Sequence, residues 1–293
     1  MSEVMEKIKQ AKVEYKSEVK PTWCPGCGDY GVLAAFIRAL GEMKIPTHKL
    51  SIVSGIGCSS RFPHFVRGYN LHTVHGRALP VALGVKIANP EIEVFVVGGD
   101  GDGFAIGGGH IPHVARRNPD MVYIILDNAI YGLTKGQVSP TSTLTMTTTT
   151  TPYGAIEPPI NPVMLLLAYG ATFVARGFSS NTKQLTQLII EATRHKGFAA
   201  IHVISPCPTF NMEITFDFVR EKVVEIPPEH DPTNKLKAFE LAMAQDKIYT
   251  GIFYREERPT FESNLEKIIS KFDGAIDEAV KKERLEKLFD QFA

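Results

Sequence analysis

Four cysteines and a run of glycines broken by two aspartates are the residues of this 293-residue chain whose types and spacing can do chemistry. Cys24 and Cys27 form a Cys-Pro-Gly-Cys turn, Cys58 sits inside SGIGCSS (Ser54 to Ser60), and Cys207 is framed by Pro206 and Pro208. Three readings compete. A thioredoxin-type dithiol needs its first cysteine after a strand and at a helix N-terminus, and residues 18–22 are too short and polar for that strand. Structural zinc takes four thiolates, usually as two close pairs, whereas this chain has one pair and two singletons. An iron-sulfur cluster also takes four thiolates and tolerates a distant fourth ligand. Spacing alone leaves cluster, zinc and unlinked buried thiols open.

The second constellation is GGDGDG, Gly98 to Gly103. Glycines turn tightly and set backbone N–H groups against phosphate oxygens, while Asp100 is a hard oxygen ligand for Mg2+. A later strand-like run ends at Asp127-Asn128, where Asn128 offers a second oxygen. Asp-Gly followed at this distance by Asn is the thiamin diphosphate signature; the bland alternative is two Gly/Asn turns. Gly26 to Gly31 also fits G-x-G-x-x-G, but no strand precedes it, which discounts a dinucleotide site.

These residues must be positioned by regular elements. Leu50 to Ser54, Val94 to Val97, Met121 to Leu126, Ala171 to Ala175 and Ala200 to Ile204 are apolar on both faces and read as strands. Gly31 to Met43, Ala78 to Ala88, Gly108 to Arg117, Pro162 to Tyr169 and Thr182 to His195 read as helices. Strands of that kind are covered on both sides, so an α/β fold with a mainly parallel sheet flanked by helices follows. Loops after parallel strands converge on one edge, where Cys58, Asp100, Asn128 and Cys207 can meet. Between Pro140 and Pro162, eight threonines in Thr141 to Thr151 lead into a Gly/Pro-rich stretch. This reads as a long surface loop, either solvated or serving as a lid or as a contact between subunits.

At roughly 150 residues per domain the length allows one large domain or two small ones. The expected division is an N-terminal arm (1–22), a domain carrying the candidate thiamin diphosphate and iron-sulfur cluster sites (23–210) and an irregular, partly helical C-terminal extension packing on a partner subunit (211–293). Lys plus Arg (32) equals Asp plus Glu (32), so nothing steers the molecule toward nucleic acid or an anionic membrane. No apolar run approaches the ~18 residues of a membrane span, and the first residues lack a signal core. The cytoplasm is the expected compartment.

Over residues 23 to 210 the chain resembles the beta subunits of 2-oxoacid:ferredoxin oxidoreductases. The resemblance is carried by Trp23 to Gly28, Ser54 to Ser59, Thr73 to Ala78, Gly98 to Asp102, Tyr131 to Gln137 and Pro206 to Pro208. It implies a 4Fe-4S cluster on Cys24, Cys27, Cys58 and Cys207, and Mg2+ held by Asp100, Asn128 and the Ile130 carbonyl. Thiamin diphosphate would be lined by Ile56, Gly57, Cys58, Ser59, His75, Gly99, Gly101, Asp102, Asn128, Tyr131 and Leu133, with Cys58 touching both cofactors. The implied reaction is coenzyme A-dependent oxidative decarboxylation of a 2-oxoacid, with two electrons leaving one at a time through the cluster to ferredoxin; donor potential and CO2 supply set its direction. No glutamate here suits the aminopyrimidine, so the resemblance implies an alpha subunit supplying that residue and the substrate and coenzyme A pockets, in a heterodimer or a dimer of heterodimers.

Gly57 to Pro63 looks most like members that use 2-oxoglutarate. Arg61 can pair with the distal carboxylate of that substrate, the alternative being a surface ion pair. Lys135 resembles a cofactor-site gate, or is a solvated loop lysine. His75 and Arg77 line the cleft or serve structural hydrogen bonds. His64, His72, His110, His113 and His202 read as ordinary core or helix histidines. The alternatives to the leading function are the same chemistry on pyruvate or another 2-oxoacid, a non-oxidative thiamin enzyme with structural zinc, and a zinc-stapled interaction subunit.

Overall fold

In a computed structural model, residues 15–271 and 278–290 are described; most of the expected N-terminal arm lies outside them. Eight strands among these residues form one sheet: β1 (Leu50–Ser54), β2 (Leu71–His72), β3 (Glu93–Gly99), β4 (Met121–Asp127), β5 (Phe173–Phe178), β6 (Phe198–Ile204), β7 (Val223–Glu225) and β8 (Ile248–Arg255). Their order is β2-β1-β3-β4-β6-β5-β8-β7. The first six are parallel; β8 runs antiparallel to β5, and β7 parallel to β8.

The two-sided apolar strands are covered as their composition demands. Helices α1 (Asp29–Met43), α2 (Ala78–Ala88), α3 (Ile111–Arg117), α4 (Pro162–Ala168) and α5 (Thr182–Arg194) divide between the faces. On one face Phe36, Leu40, Leu185 and Ile189 from α1 and α5 meet Ile52, Phe95, Val97, Ile124 and Ile201. On the other, α2, α3 and α4 meet Val94, Val96, Tyr123, Ile125 and Val174. Successive strand residues thus alternate between two buried layers. The Phe36 ring stands edge-on to Phe62 and Phe95, with centroids 5.3 and 4.9 Å away, a geometry worth about 0.5–1.5 kcal/mol per pair beyond burial. Asn161 and Asn181 accept from the third residues of α4 and α5 and so start those helices.

Beyond residue 210 the chain is helical, as expected, in α6 (Phe216–Lys222), α7 (Lys235–Ala242), α8 (Phe261–Ile269) and α9 (Glu278–Asp290). It also contributes β7 and β8, which the sequence pattern did not show. Gly251 at φ 132 and a register shift against Val174/Ala175 break the alternation that would have marked β8. Strand β5 starts two residues later than expected, because parallel pairing with β6 begins at Phe173. The helix expected from Gly108 starts as α3 at Ile111, preceded by a wide π-helical turn over Gly101–Ile106 and a tight 3-10 turn over Gly108–His110. No helix among the described residues is long and apolar enough to cross a membrane.

Candidate functional site

The loops leaving β1, β3, β4 and β6 meet at the carboxyl edge of the sheet. Those after β1, β3 and β4, with the turn after β2, enclose a cavity of about 190 Å3 walled by residues 56–59, 99–102, 128 and 130–134, with His75 and Leu126. Every residue the resemblance assigned to thiamin diphosphate lies in this wall, beside Asp100 and Ile130. No described glutamate does. Gly57, at φ 133 with open space where a Cβ would stand, lets the backbone itself form the floor.

Asp100 is buried. Its Oδ1 accepts from the Asn128 N–H at 3.4 Å, and its Oδ2 is 3.1 Å from the Thr141 hydroxyl. Burial, then the charge of nearby Asp127, pushes its carboxyl well above the ordinary range. A buried carboxylate with these neighbours and no basic side chain in hydrogen-bonding contact suits a bound cation, so the donor set fits Mg2+. Asn128 turns back on itself, its Oδ1 accepting from Ile130 N–H at 3.0 Å. Between them Ala129 takes φ 54, a left-handed conformation that costs a non-glycine residue energy and brings Asn128 and Ile130 to the rim.

Asp102 does more than line the wall. Its Oδ1 accepts from Ile56 N–H (2.9 Å) and Gly76 N–H (2.7 Å) and faces His75 Nδ1 at 2.9 Å, tying three loops together. With Nδ1–H donated to that carboxylate, His75 Nε2 is left as a proton acceptor.

The cysteine-bearing segments are laced to one another. Cys27 N–H donates to Cys24 O (3.1 Å), Gly28 N–H to Pro206 O (3.2 Å), and Trp23 Nε1–H to Cys58 O (2.7 Å). A methyl group on Gly132 would lie 3.6 Å from Cys58 Sγ and 3.8 Å from Cys207 Sγ, so these two thiols flank one cradle beside Gly132 that a side chain there would begin to fill. Burial, then Asp29, raises the Cys27 thiol far above the ordinary range and takes Cys58 up to about 11; Cys207 adds to both. Burial takes Asp29, hydrogen-bonded to Ser205 Oγ at 2.7 Å, up to about 6. Crowded, desolvated thiols of this kind become thiolates only beside positive charge, which suits ligation of iron. Among the described residues no three His, Cys, Asp or Glu side chains form a set around a single metal ion. The glycines of the G-x-G-x-x-G match serve close packing: side chains on Gly28 and Gly31 would collide with Ser205 and Ser179, the residues following β6 and β5.

Three expected residues stand outside the wall. Arg61 is half-buried and reaches Thr22 (Nη1 to Oγ1, 3.1 Å) beside the cysteine turn. Lys135 is exposed at the tip of a loop closed by Tyr131 N–H to Gln137 O, 2.9 Å. Arg77 turns away to His110 Nε2 (2.8 Å) and Ile106 O (3.1 Å). His202 is more than an ordinary core histidine. Its Nε2 is 2.8 Å from Asp127 Oδ2, and Arg176 Nε–H donates to its Nδ1 at 3.1 Å. Burial opposes ionisation of Asp127, but His202, Thr141 and the Ala129 N–H hold its carboxyl below the ordinary range. The available signal was a polar, ionisable residue in the middle of a doubly covered strand, Arg176 in β5 and His202 in β6; Thr141, hidden in a low-complexity run, carried none.

Known proteins are similar to this chain in sequence and fold. Residues 55–203 match the family model of the thiamine pyrophosphate enzyme C-terminal TPP binding domain, and residues 207–270 match the C-terminal model of the pyruvate ferredoxin oxidoreductase beta subunit. The beta subunit of 2-oxoacid:ferredoxin oxidoreductase 2 from Aeropyrum pernix is 42% identical over 276 residues, 90% of this chain and 89% of that protein. The chain belongs to the 2-oxoacid:ferredoxin oxidoreductase beta subunits. Within that family it is 40% identical over 250 residues to the 2-oxoglutarate synthase subunit KorB of Methanocaldococcus jannaschii, covering 85% of this chain and 93% of the relative. The solved 2-oxoglutarate:ferredoxin oxidoreductase from Magnetococcus marinus, with 2-oxoglutarate, coenzyme A and succinyl-CoA bound, superposes with TM-score 0.90 at 49% identity, covering 94% of each chain.

Proposed function

We propose that this beta subunit holds thiamin diphosphate, Mg2+ and one 4Fe-4S cluster and, with an alpha subunit, oxidises 2-oxoglutarate to succinyl-CoA and CO2 while reducing ferredoxin, the reverse reaction being open to the same site. The observation that carries the reading is Cys58, which walls the cavity containing Asp100 and also flanks, with Cys207, the cradle at Gly132. The 2-oxoglutarate-named relatives and the Magnetococcus marinus enzyme support the substrate.

Bound there, thiamin diphosphate supplies a carbanion and electron sink for decarboxylation, and the cluster supplies a one-electron acceptor. The chain's own residues do the rest. Asp100, Asn128 and the Ile130 carbonyl would hold the cation, and the backbone of residues 56–59 and 99–101 would face the diphosphate. His75, oriented by Asp102, takes or returns a proton at Nε2. Arg61, two residues beyond Ser59, offers its planar guanidinium to the distal carboxylate. Lys135, next to Thr134 of the wall, guards entry. The alpha subunit brings the aminopyrimidine glutamate and the substrate and coenzyme A pockets. The exposed Ile268, Ile269, Leu285, Leu288 and Phe289 of α8 and α9 are apolar surface suited to packing against another subunit, within the 211–293 extension. A reducing cytoplasm keeps the thiols available for cluster assembly.

Anaerobic purification of the alpha–beta complex tests the reading, with iron, sulfide, zinc and thiamin analysis followed by coenzyme A-dependent ferredoxin reduction on a 2-oxoacid panel. The expected result is iron, sulfide and thiamin diphosphate without stoichiometric zinc, and a higher kcat/KM for 2-oxoglutarate than for pyruvate. Zinc in place of iron, or preference for pyruvate, contradicts it.

A further inference from the structure

One threonine of the run behaves unlike the rest. Among the eight in Thr141 to Thr151, Thr141 alone is buried, and its hydroxyl reaches two carboxylates at once: Asp127 Oδ1 at 2.7 Å and Asp100 Oδ2 at 3.1 Å. The loop is pinned on either side of it. Ser142 Oγ–H donates to Ala129 O at 2.7 Å, Ser139 N–H donates to Ser142 Oγ at 2.7 Å, and Ile160 N–H donates to Pro140 O at 2.8 Å. Thr141 is therefore set near the end of β4 by neighbouring anchors, two through the Ser142 hydroxyl and one through the backbone, that do not depend on its own hydroxyl.

The groups behind it are equally constrained. Arg176 and His202 are paired across the β5/β6 ladder. A guanidinium can only donate, so Arg176 Nε–H, pointing at Nδ1, makes that nitrogen the acceptor and leaves the proton on Nε2. Nε2–H then donates to Asp127 Oδ2, while Asp127 Oδ1 takes the Ala129 N–H at 2.9 Å and meets the Thr141 hydroxyl. Every group in this chain of contacts is buried, where a satisfied polar network holds each rotamer firmly.

We propose that Thr141 is a positioning residue for Asp100, and that Arg176, His202 and Asp127 form the buried rail that aims it. The inference rests on reading the cavity as the Mg2+–thiamin diphosphate site. Thr141 lies outside the cavity wall, so its hydroxyl, 3.1 Å from Oδ2, would restrain the rotation of the Asp100 carboxylate without occupying the space for the cation. Oriented outer partners of this kind change metal affinity by about 10–100-fold. Within the Thr-rich run, Thr141 is thus the threonine that touches the site's carboxylates, while Ser142 and the buried Met146 anchor the loop around it.

The test is equilibrium binding of thiamin diphosphate to the cofactor-stripped alpha–beta complex across a Mg2+ titration, which reads affinity without turnover. Thr141→Val removes the hydroxyl at nearly constant shape and should raise the half-saturating Mg2+ concentration at least fivefold. Thr141→Ser keeps the hydroxyl and should stay within twofold of the parent. Thr141→Ala is titrated beside them, so that a valine variant that fails to assemble does not end the test; it should shift as valine does. Parent-like Mg2+ dependence in the valine or alanine variant overturns the proposal, as does a serine variant shifted as far as valine. A parent complex showing no Mg2+-dependent binding at all overturns the cofactor reading itself, and that outcome is distinct from a failure at Thr141 alone.

Discussion

The two ends of the sheet carry charge in opposite ways. At the amino ends of β5 and β6 a cavity of about 810 Å3 is lined by Glu191, Arg194, Lys196, Arg255, Glu256 and Arg258. Those charges neutralise one another near the surface: Arg255 and Arg194 lie 3.1 and 3.7 Å from Glu191, Arg258 3.2 Å from Glu256, and Lys196 3.1 Å from Asp120. At the carboxyl edge Asp29, Asp100, Asp102 and Asp127 are all buried, and of the basic side chains only Arg176 is buried near them, behind His202. Exposed pairs close on themselves and contribute little. Buried carboxylates and thiols without matched cations are a standing demand for metal. The fold is thus self-sufficient at one end and incomplete at the other.

The sharpest ways to break this contrast lie at the thiols. Cys58→Ser or Cys207→Ser should strip the iron and lower ferredoxin reduction by about three orders of magnitude or more, read as iron per complex and turnover together; full iron in either variant would remove that thiol from the ligand set. Next comes Asp100→Asn, which should weaken thiamin diphosphate binding by about 100-fold while iron content stays at the parent level. His202→Leu removes one partner of a buried pair and should cost the complex about 3–5 kcal/mol in denaturant unfolding, whereas Glu191→Gln at the opposite end should cost less than about 1 kcal/mol. Equal costs would erase the distinction between the ends.

A pH effect sharpens the contrast further. Asp29 has a carboxyl raised from 3.8 to about 6 by burial. In the cluster-free complex the native state binds a proton there that the unfolded chain releases, so this contribution is full below pH 4 and is lost as pH rises through 6. Asp29→Asn should flatten that slope, an effect of at most about 3 kcal/mol, measured as the difference in unfolding midpoints at pH 4 and pH 8. An unchanged slope would show that Asp29 is ionised with its ordinary affinity.

Much of this was legible in the residues. Helix α2 and strand β1 lie where their apolar patterns put them, because two-sided burial leaves little freedom in register. The glycine and aspartate placements at the strand ends were equally plain, since a phosphate-facing turn needs those residue types. Strand β8 was not, because a bulge and Gly251 interrupt its alternation. Thr141 was invisible for a different reason: its role depends on where a low-complexity loop folds back, and local pattern does not encode that. Arg61 and Lys135 were legible as cations near the site, yet their side chains sit outside the cavity wall in the isolated chain, where any orientation they owe to an alpha subunit is absent from the sequence.

The central claim is that the Asp100 cavity and the cysteine cradle act as one electron path, with Cys58 shared between them. Visible absorbance of the anaerobic complex after mixing with 2-oxoglutarate tests it most directly. The cluster band should bleach in the parent complex, and it should stay unbleached in Asp100→Asn with its iron intact. No bleaching in the thiamin-loaded parent, or undiminished bleaching in a thiamin-free Asp100→Asn complex, would contradict the account.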